Sequence, residues 1–201
     1  MIGEFKFSLT CSNARSGCGV TLEGEELQGH QEECKHRMVP CPKTSCTRKI
    51  KAIELWIHIS TEHEVTSKPN GTRTLEMTNK TLQEDVIHWK SLAYMERDER
   101  RFFLQFVKRE NVFMAWVQME GSRREAAKWE FFIEAGKEEM ASFRHGAVYS
   151  EDMTLEEILE AGAYLVLGNN QAKRILSGIQ EGDDEDLAGN LNIKFIVTRK
   201  C

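Results

Sequence analysis

A chain of 201 residues with 40% hydrophobic content is long enough for one ordinary domain plus a small module, which excludes a disordered polypeptide. Formal net charge is -5, and residues 1–70 hold nine Lys/Arg against nine Asp/Glu, so the acidic excess lies later; that balance offers no basic face for phosphates, and no nucleic-acid partner is expected. The longest apolar runs, such as Phe113 to Val117, fall far short of the roughly 20 residues of a membrane helix, and nothing resembles a signal peptide, so the expected compartment is cytoplasmic, or also nuclear, with no membrane partner.

Five of the six cysteines crowd between residues 11 and 46. In a reducing compartment such clustering points to metal, not to disulfides. Cys11, Cys18, His30 and Cys34 form one quartet, and Cys41, Cys46, His58 and His63 form a second in which the central spacing of eleven residues recurs. Thiolates and imidazoles in closed sets of four suit tetrahedral zinc with no vacant position, so two structural Zn2+ ions are expected and no catalytic metal. Locally, Ser16-Gly17-Cys18-Gly19 predicts a tight turn before a short strand at Val20-Thr21-Leu22. In the second finger Pro42 opens the knuckle, and Ala52 to His63 reads as a helix with Ile53, Trp56 and Ile57 on its inner face. His36 reads as an exposed linker residue, and His88, His145 and Cys201 have no companions at ligand spacing.

Glu64 to Thr72, with Ser67, Pro69, Asn70 and Gly71, reads as a linker or turn before an edge strand, and places a boundary near residue 66: fingers over 1–66, a second domain over 67–201. Strands follow. Phe102 to Val107 and Phe113 to Met119 are apolar on both faces, as in central strands of a two-sheet sandwich. Trp129, Phe131 and Ile133 alternate with Glu130 and Glu134, and Leu191, Ile193, Phe195 and Val197 alternate with Asn192, Lys194 and Thr198, as half-buried strands do. Two short helices are predicted, Leu155 to Ala161 behind a Thr154/Glu157 capping box, and Asn170 to Leu176. The acidic run Glu181 to Asp186 reads as a solvated loop. The fold class is therefore two small zinc fingers followed by a mainly antiparallel β-sandwich with two short helices.

CSNARSGC at Cys11, CPKTSC at Cys41, FMAWVQMEGSRREAAKW at Phe113 to Trp129 and NLNIKFIVTRKC at the end resemble the seven-in-absentia (SIAH/SINA) family of ubiquitin ligases over nearly the whole chain. The resemblance implies a TRAF-like sandwich, a homodimer, and recognition of substrate proteins carrying an extended degron for proteasomal degradation. Family members carry a RING that recruits the ubiquitin-conjugating machinery. Eight finger ligands leave one Cys and three His, so no RING fits here; the chain is expected to be a RING-less relative or part of a longer ligase, and not a ligase by itself. Carried over by position, the peptide groove falls on Ser67, Pro69, Ile87, Trp89 and Ser91. Ile87, Trp89 and Ser91 lie two apart and would share one strand face, while Trp89 reads equally well as a core residue. Ser91 and Pro69 stand where the family pattern has larger or more flexible apolar residues, so the pocket is expected to be altered. The alternative function is a TRAF-like signalling scaffold without ligase activity; that reading wants a trimer, and the chain lacks the long heptad segment that organises one.

Overall fold

The computed structural model describes residues 7–88, 91–136, 141–177 and 188–200. The first finger consists of β1 (Ser8–Thr10), a 3-10 turn over Ser12–Ser16, β2 (Thr21–Glu23) antiparallel to β1, and helix α1 (Gly24–Glu33). The second is the antiparallel ribbon β3 (Met38–Pro40) and β4 (Lys49–Lys51), a 3-10 turn over Ala52–Glu54, and helix α2 (Leu55–Glu62). The remaining elements are β5 (Glu64–Ser67), β6 (Thr72–Thr78), α3 (Asn79–Gln83), β7 (Val86–His88), β8 (Ser91–Arg97), β9 (Arg100–Arg109), β10 (Val112–Met119) and α4 (Arg123–Ala126). They continue with β11 (Trp129–Ala135), β12 (Ser142–Ala147), β13 (Tyr149–Ser150), α5 (Leu155–Ala161), β14 (Leu165–Gly168), α6 (Asn169–Ser177) and β15 (Ala188–Arg199).

Among the described residues the second part is two sheets, one of seven strands with the path β13-β10-β9-β8-β5, joined by β14 on β10 and β7 on β9, and one of four in the order β12-β11-β15-β6. Pairing is antiparallel except β5 with β8 and β10 with β13. Between the sheets lies one apolar core that includes Leu104, Phe106, Phe113 and Val117 from one layer and Phe131, Ile133, Leu191, Ile193, Phe195 and Val197 from the other. The period-two alternation places these side chains, because every second residue of a strand faces the same layer. The alternations at Trp129 and at Leu191 are borne out: Trp129, Phe131, Ile133 and Ala135 are buried while Glu130, Phe132 and Glu134 between them are half-buried, and Leu191, Ile193, Phe195 and Val197 are buried on β15.

Four expectations need correction. The stretch Glu64 to Thr72 is no linker at its start, because Glu64–Ser67 forms an edge strand parallel to β8, with Val65 beside Leu92. The inner face of α2 is Leu55, His58 and Ile59, while Ile53 and Ile57 are 55% and 62% exposed and Trp56 is half-buried. An apolar residue at nearly every position of Ile53-Glu54-Leu55-Trp56-Ile57-His58-Ile59 left two helical faces equally plausible, and the one carrying ligand His58 is the one buried. The two-faced strands β9 and β10 do face a second sheet on one side, but their other side is covered by the second finger at Phe103 and by the α5 region at Val107, Met114 and Trp116. The single strand expected through Ile87, Trp89 and Ser91 is interrupted: Ile87 faces Lys108, a continuous ladder would then set Ser91 opposite Leu104, and Ala93 stands there. Trp89, the acidic run Glu181 to Asp186 and Cys201 lie outside the described residues.

Helix α5 starts and ends where the sequence predicts, with the Thr154/Glu157 capping box formed and Gly162 in the left-handed region at its end. Helix α6 covers the second predicted helix with one more residue at each end, and α3 and α4 add two short helical segments between strands. Gly71 closes the turn after β5 at φ 64°; a Cβ there would lie 1.9 Å from the Phe195 carbonyl oxygen, so only glycine lets the turn meet β15.

Candidate metal centres

In the first finger a 3-10 turn carries the chain from Cys11 to Cys18, and Gly17 at φ 105° reverses it. Backbone bonds from Cys11 N–H to the Val20 carbonyl and from Cys18 N–H to the Asn13 carbonyl fix the knuckle. Helix α1 then presents His30, and Cys34 follows one turn later as its C-cap residue. In the second finger Cys46 N–H closes the knuckle on the Lys43 carbonyl, and α2 carries His58 with His63 at its C-cap.

The structure brings together both quartets predicted from spacing: Cys11, Cys18, His30, Cys34, and Cys41, Cys46, His58, His63, with ligand atoms within 4.8 Å of one another in each. A tetrahedron with Zn–S near 2.3 Å and Zn–N near 2.0 Å has edges of about 3.8 Å between sulfurs, about 3.3 Å between nitrogens and about 3.5 Å for mixed pairs. Cys11 and Cys34 Sγ are 3.9 Å apart, and Cys18 Sγ lies 3.2 Å from His30 Nε2. In the second centre Cys41 Sγ is 3.3 Å from His63 Nε2, Cys46 Sγ is 3.7 Å from His58 Nε2, and the two imidazole Nε2 atoms are 3.2 Å apart. All match tetrahedral edges, so the donor sets fit two structural zinc ions, each with four protein ligands and no open position. A bound ion supplies the positive charge that lets buried thiols lose their protons.

Burial makes that charge necessary. It pushes the Cys34 thiol above the ordinary value and the Cys41 thiol up to about 12, and it depresses His58 and His63, which favours the neutral imidazole that ligates metal. Peptide N–H groups share the load: Asn13 N–H points at Cys11 Sγ at 3.4 Å, and the N–H groups of Lys43 and His36 serve Cys41 and Cys34.

These supporting residues were not legible from ligand spacing. His36, read as an exposed linker residue, is half-buried, and its Nδ1 lies 3.2 Å from the Ser16 carbonyl oxygen under the first knuckle. His145 is exposed beside Glu130 at 3.2 Å, in neither quartet. Arg37, between the fingers, donates from Nη2 to Glu151 Oε1 at 2.6 Å, tying the inter-finger segment to the sandwich. The groove residues are dispersed by comparison: Ser67 is exposed at the end of β5, Pro69 is exposed in the following turn, Ile87 is half-buried on β7, and Ser91 starts β8 with its carbonyl bonded to Arg73 at 2.6 Å.

Residues 5–75 match the family model described as Sina, zinc finger. The match spans both ligand quartets and runs through β5 into β6. It supports a relationship to the SIAH/SINA family for a zinc-finger protein with this pair of centres. No curated protein matches the chain. Among the described residues no helix is long and apolar enough to cross a membrane.

Proposed function

We propose that the chain is the substrate-recognition and dimerisation module of a SIAH/SINA-type ubiquitin ligase, binding extended degron segments for ubiquitin-dependent degradation. The observation that carries this reading is the Sina zinc-finger match, which ends inside a β-sandwich and so covers the junction between fingers and sheet. Support comes from the edge strand at that junction. β5 is four residues long, Glu64 and Ser67 on it are exposed, and no strand among the described residues pairs with its outer side. An extended partner segment adds to such an edge through main-chain hydrogen bonds, with alternate side chains giving specificity. In this reading Ser67 and Pro69 lie at the end of the strand that the peptide extends, Ile87, Trp89 and Ser91 are the further positions that the family resemblance assigns to the groove, and a RING supplied elsewhere would bring the conjugating enzyme. The module itself performs no chemistry, and it works in the cytoplasm or nucleus as a homodimer joined through the outer face of the four-stranded sheet.

The test is a display library of short peptides panned against the zinc-loaded chain. Enrichment of extended sequences whose binding is lost in Trp89→Ala, with zinc content unchanged, is the expected result. Peptide affinity that survives unchanged in a folded Trp89→Ala variant removes the groove assignment.

A further inference from the structure

The two zinc centres hold up different things. Around the first, the buried cluster is made of the finger's own residues: Cys11, Cys18, Leu27 and Cys34, with Val20 and Leu22 packed on them. Around the second, ligand Cys41 shares one cluster with Val39, Ile50, Leu55 and Ile59 of the finger and with Leu92 and Phe103 of the seven-stranded sheet. Leu55, Ile59 and Phe103 are each fully buried. The rim of this contact is aromatic, with Trp56 edge-on to Tyr94 at 5.1 Å and the Arg101 guanidinium over the Trp56 ring at 4.1 Å.

The second centre also anchors the sheet edge. Ligand His63 is followed directly by β5, whose side chains are exposed at both ends and only half-buried at Val65 and Thr66. A four-residue edge strand with so little buried surface has few contacts to offset the cost of ordering it, so its ends must hold it. One end is the zinc ligand; the other is the Lys68 to Gly71 turn, where Lys68 N–H bonds the Tyr94 carbonyl at 2.7 Å.

We propose that the second zinc centre is a latch on the sandwich: the ion held by Cys41, Cys46, His58 and His63 keeps β5 paired with β8 and keeps Phe103 and Leu92 covered, and its loss opens that edge and that apolar face. The first centre has no such role, and its ion leaves without disturbing the sheet. Zinc occupancy of one finger thereby controls access to a sheet edge that the chain's own strand otherwise fills. This follows from the packing of this chain and does not depend on the partner proposed above.

The test uses the full chain and hydrogen–deuterium exchange read by mass spectrometry. Cys46→Ser and Cys18→Ser are each expected to lower zinc from two ions to one. Only Cys46→Ser is expected to speed exchange in Ser91–Arg97 and around Phe103, on the order of tenfold or more. Equal exchange in the two variants overturns the latch. Should Cys46→Ser precipitate, Phe103→Ala decides from the sandwich side, since coupling is reciprocal. That variant keeps all eight ligands, and under excess EDTA it should lose one of its two ions on the order of tenfold faster than the parent, with the other unchanged. Zinc loss at parental rates for both ions also overturns the proposal.

Discussion

At the scale of single residues, the chain separates groups that need a charge from groups that must lose one. The Cys41 thiol, pushed up to about 12 by burial, needs zinc to ionise at neutral pH, so removing a ligand removes the compensation as well as the bond. Cys41→Ser and His58→Ala should each bring zinc content from two ions per chain to one, measured by atomic emission on the purified protein; two ions retained in either variant contradicts the assignment. Glu151 presents the opposite problem. Burial raises its carboxyl to about 8 from an ordinary 4.5, outweighing the Arg37 guanidinium that favours the charged form. A raised folded pKa gives stability that is complete below pH 4.5 and is lost as pH climbs through 8, because the unfolded chain releases the proton that the folded chain retains. Glu151→Gln has no proton to lose, so it should gain on the parent between pH 5 and 8 by on the order of a few kcal/mol in urea unfolding with excess zinc. A difference between the two proteins that is flat with pH contradicts the elevated carboxyl.

At the scale of elements, helix α2 shows how far a sequence pattern reaches. Two helical faces of the segment from Ile53 to Ile59 are apolar, and the sandwich selects the one carrying Leu55 and Ile59. Leu55→Ala removes a fully buried side chain and should cost about 2–5 kcal/mol, whereas Ile57→Ser on the exposed face should stay within about 0.5 kcal/mol, both by chemical unfolding in excess zinc. A reversed order would restore the face first expected from the sequence. Both metal quartets were legible because ligand chemistry leaves a spacing that survives without knowledge of packing, and strands β11 and β15 because polar residues such as Glu130, Glu134, Asn192 and Lys194 alternate with their buried apolar ones. The docking of α2, the interruption between β7 and β8, and the strand at Glu64–Ser67 were not legible, since each is decided by what lies across the contact. Buried polar groups in the strands belong here too: Lys108, just past the apolar run Phe102 to Val107, reads as a surface lysine at the strand's end and is instead fully enclosed, donating to the Leu82 and Glu84 carbonyls.

At the scale of the whole molecule, most apolar surface that the strands create is covered internally, by the opposite sheet, the second finger or the α5 region. Among the described residues, the outer face of the four-stranded sheet carries apolar side chains that are not covered. Phe132 of β11 stands opposite Ile196 of β15 and stacks at a tilt on Phe143 of β12 with ring centroids 5.7 Å apart. Phe143 is 56% exposed and Ile196 38%, so three strands contribute to one apolar stripe. Polar groups stand next to it, with His145 opposite Phe132 and beside Glu130, and Glu134 between Phe143 and Lys194 across the strands. A surface that sets exposed apolar side chains beside polar ones suits a two-fold contact, in which the same surface meets its own copy and the phenylalanines are covered. Light scattering at concentrations well above micromolar should therefore report a dimer for the parent chain. Phe143→Asp would place a carboxylate in that contact in place of an apolar ring and should yield a monomer with both zinc ions in place. A parent chain that stays monomeric under those conditions rules out the dimer, and a Phe143→Asp variant that remains dimeric moves the contact to another face.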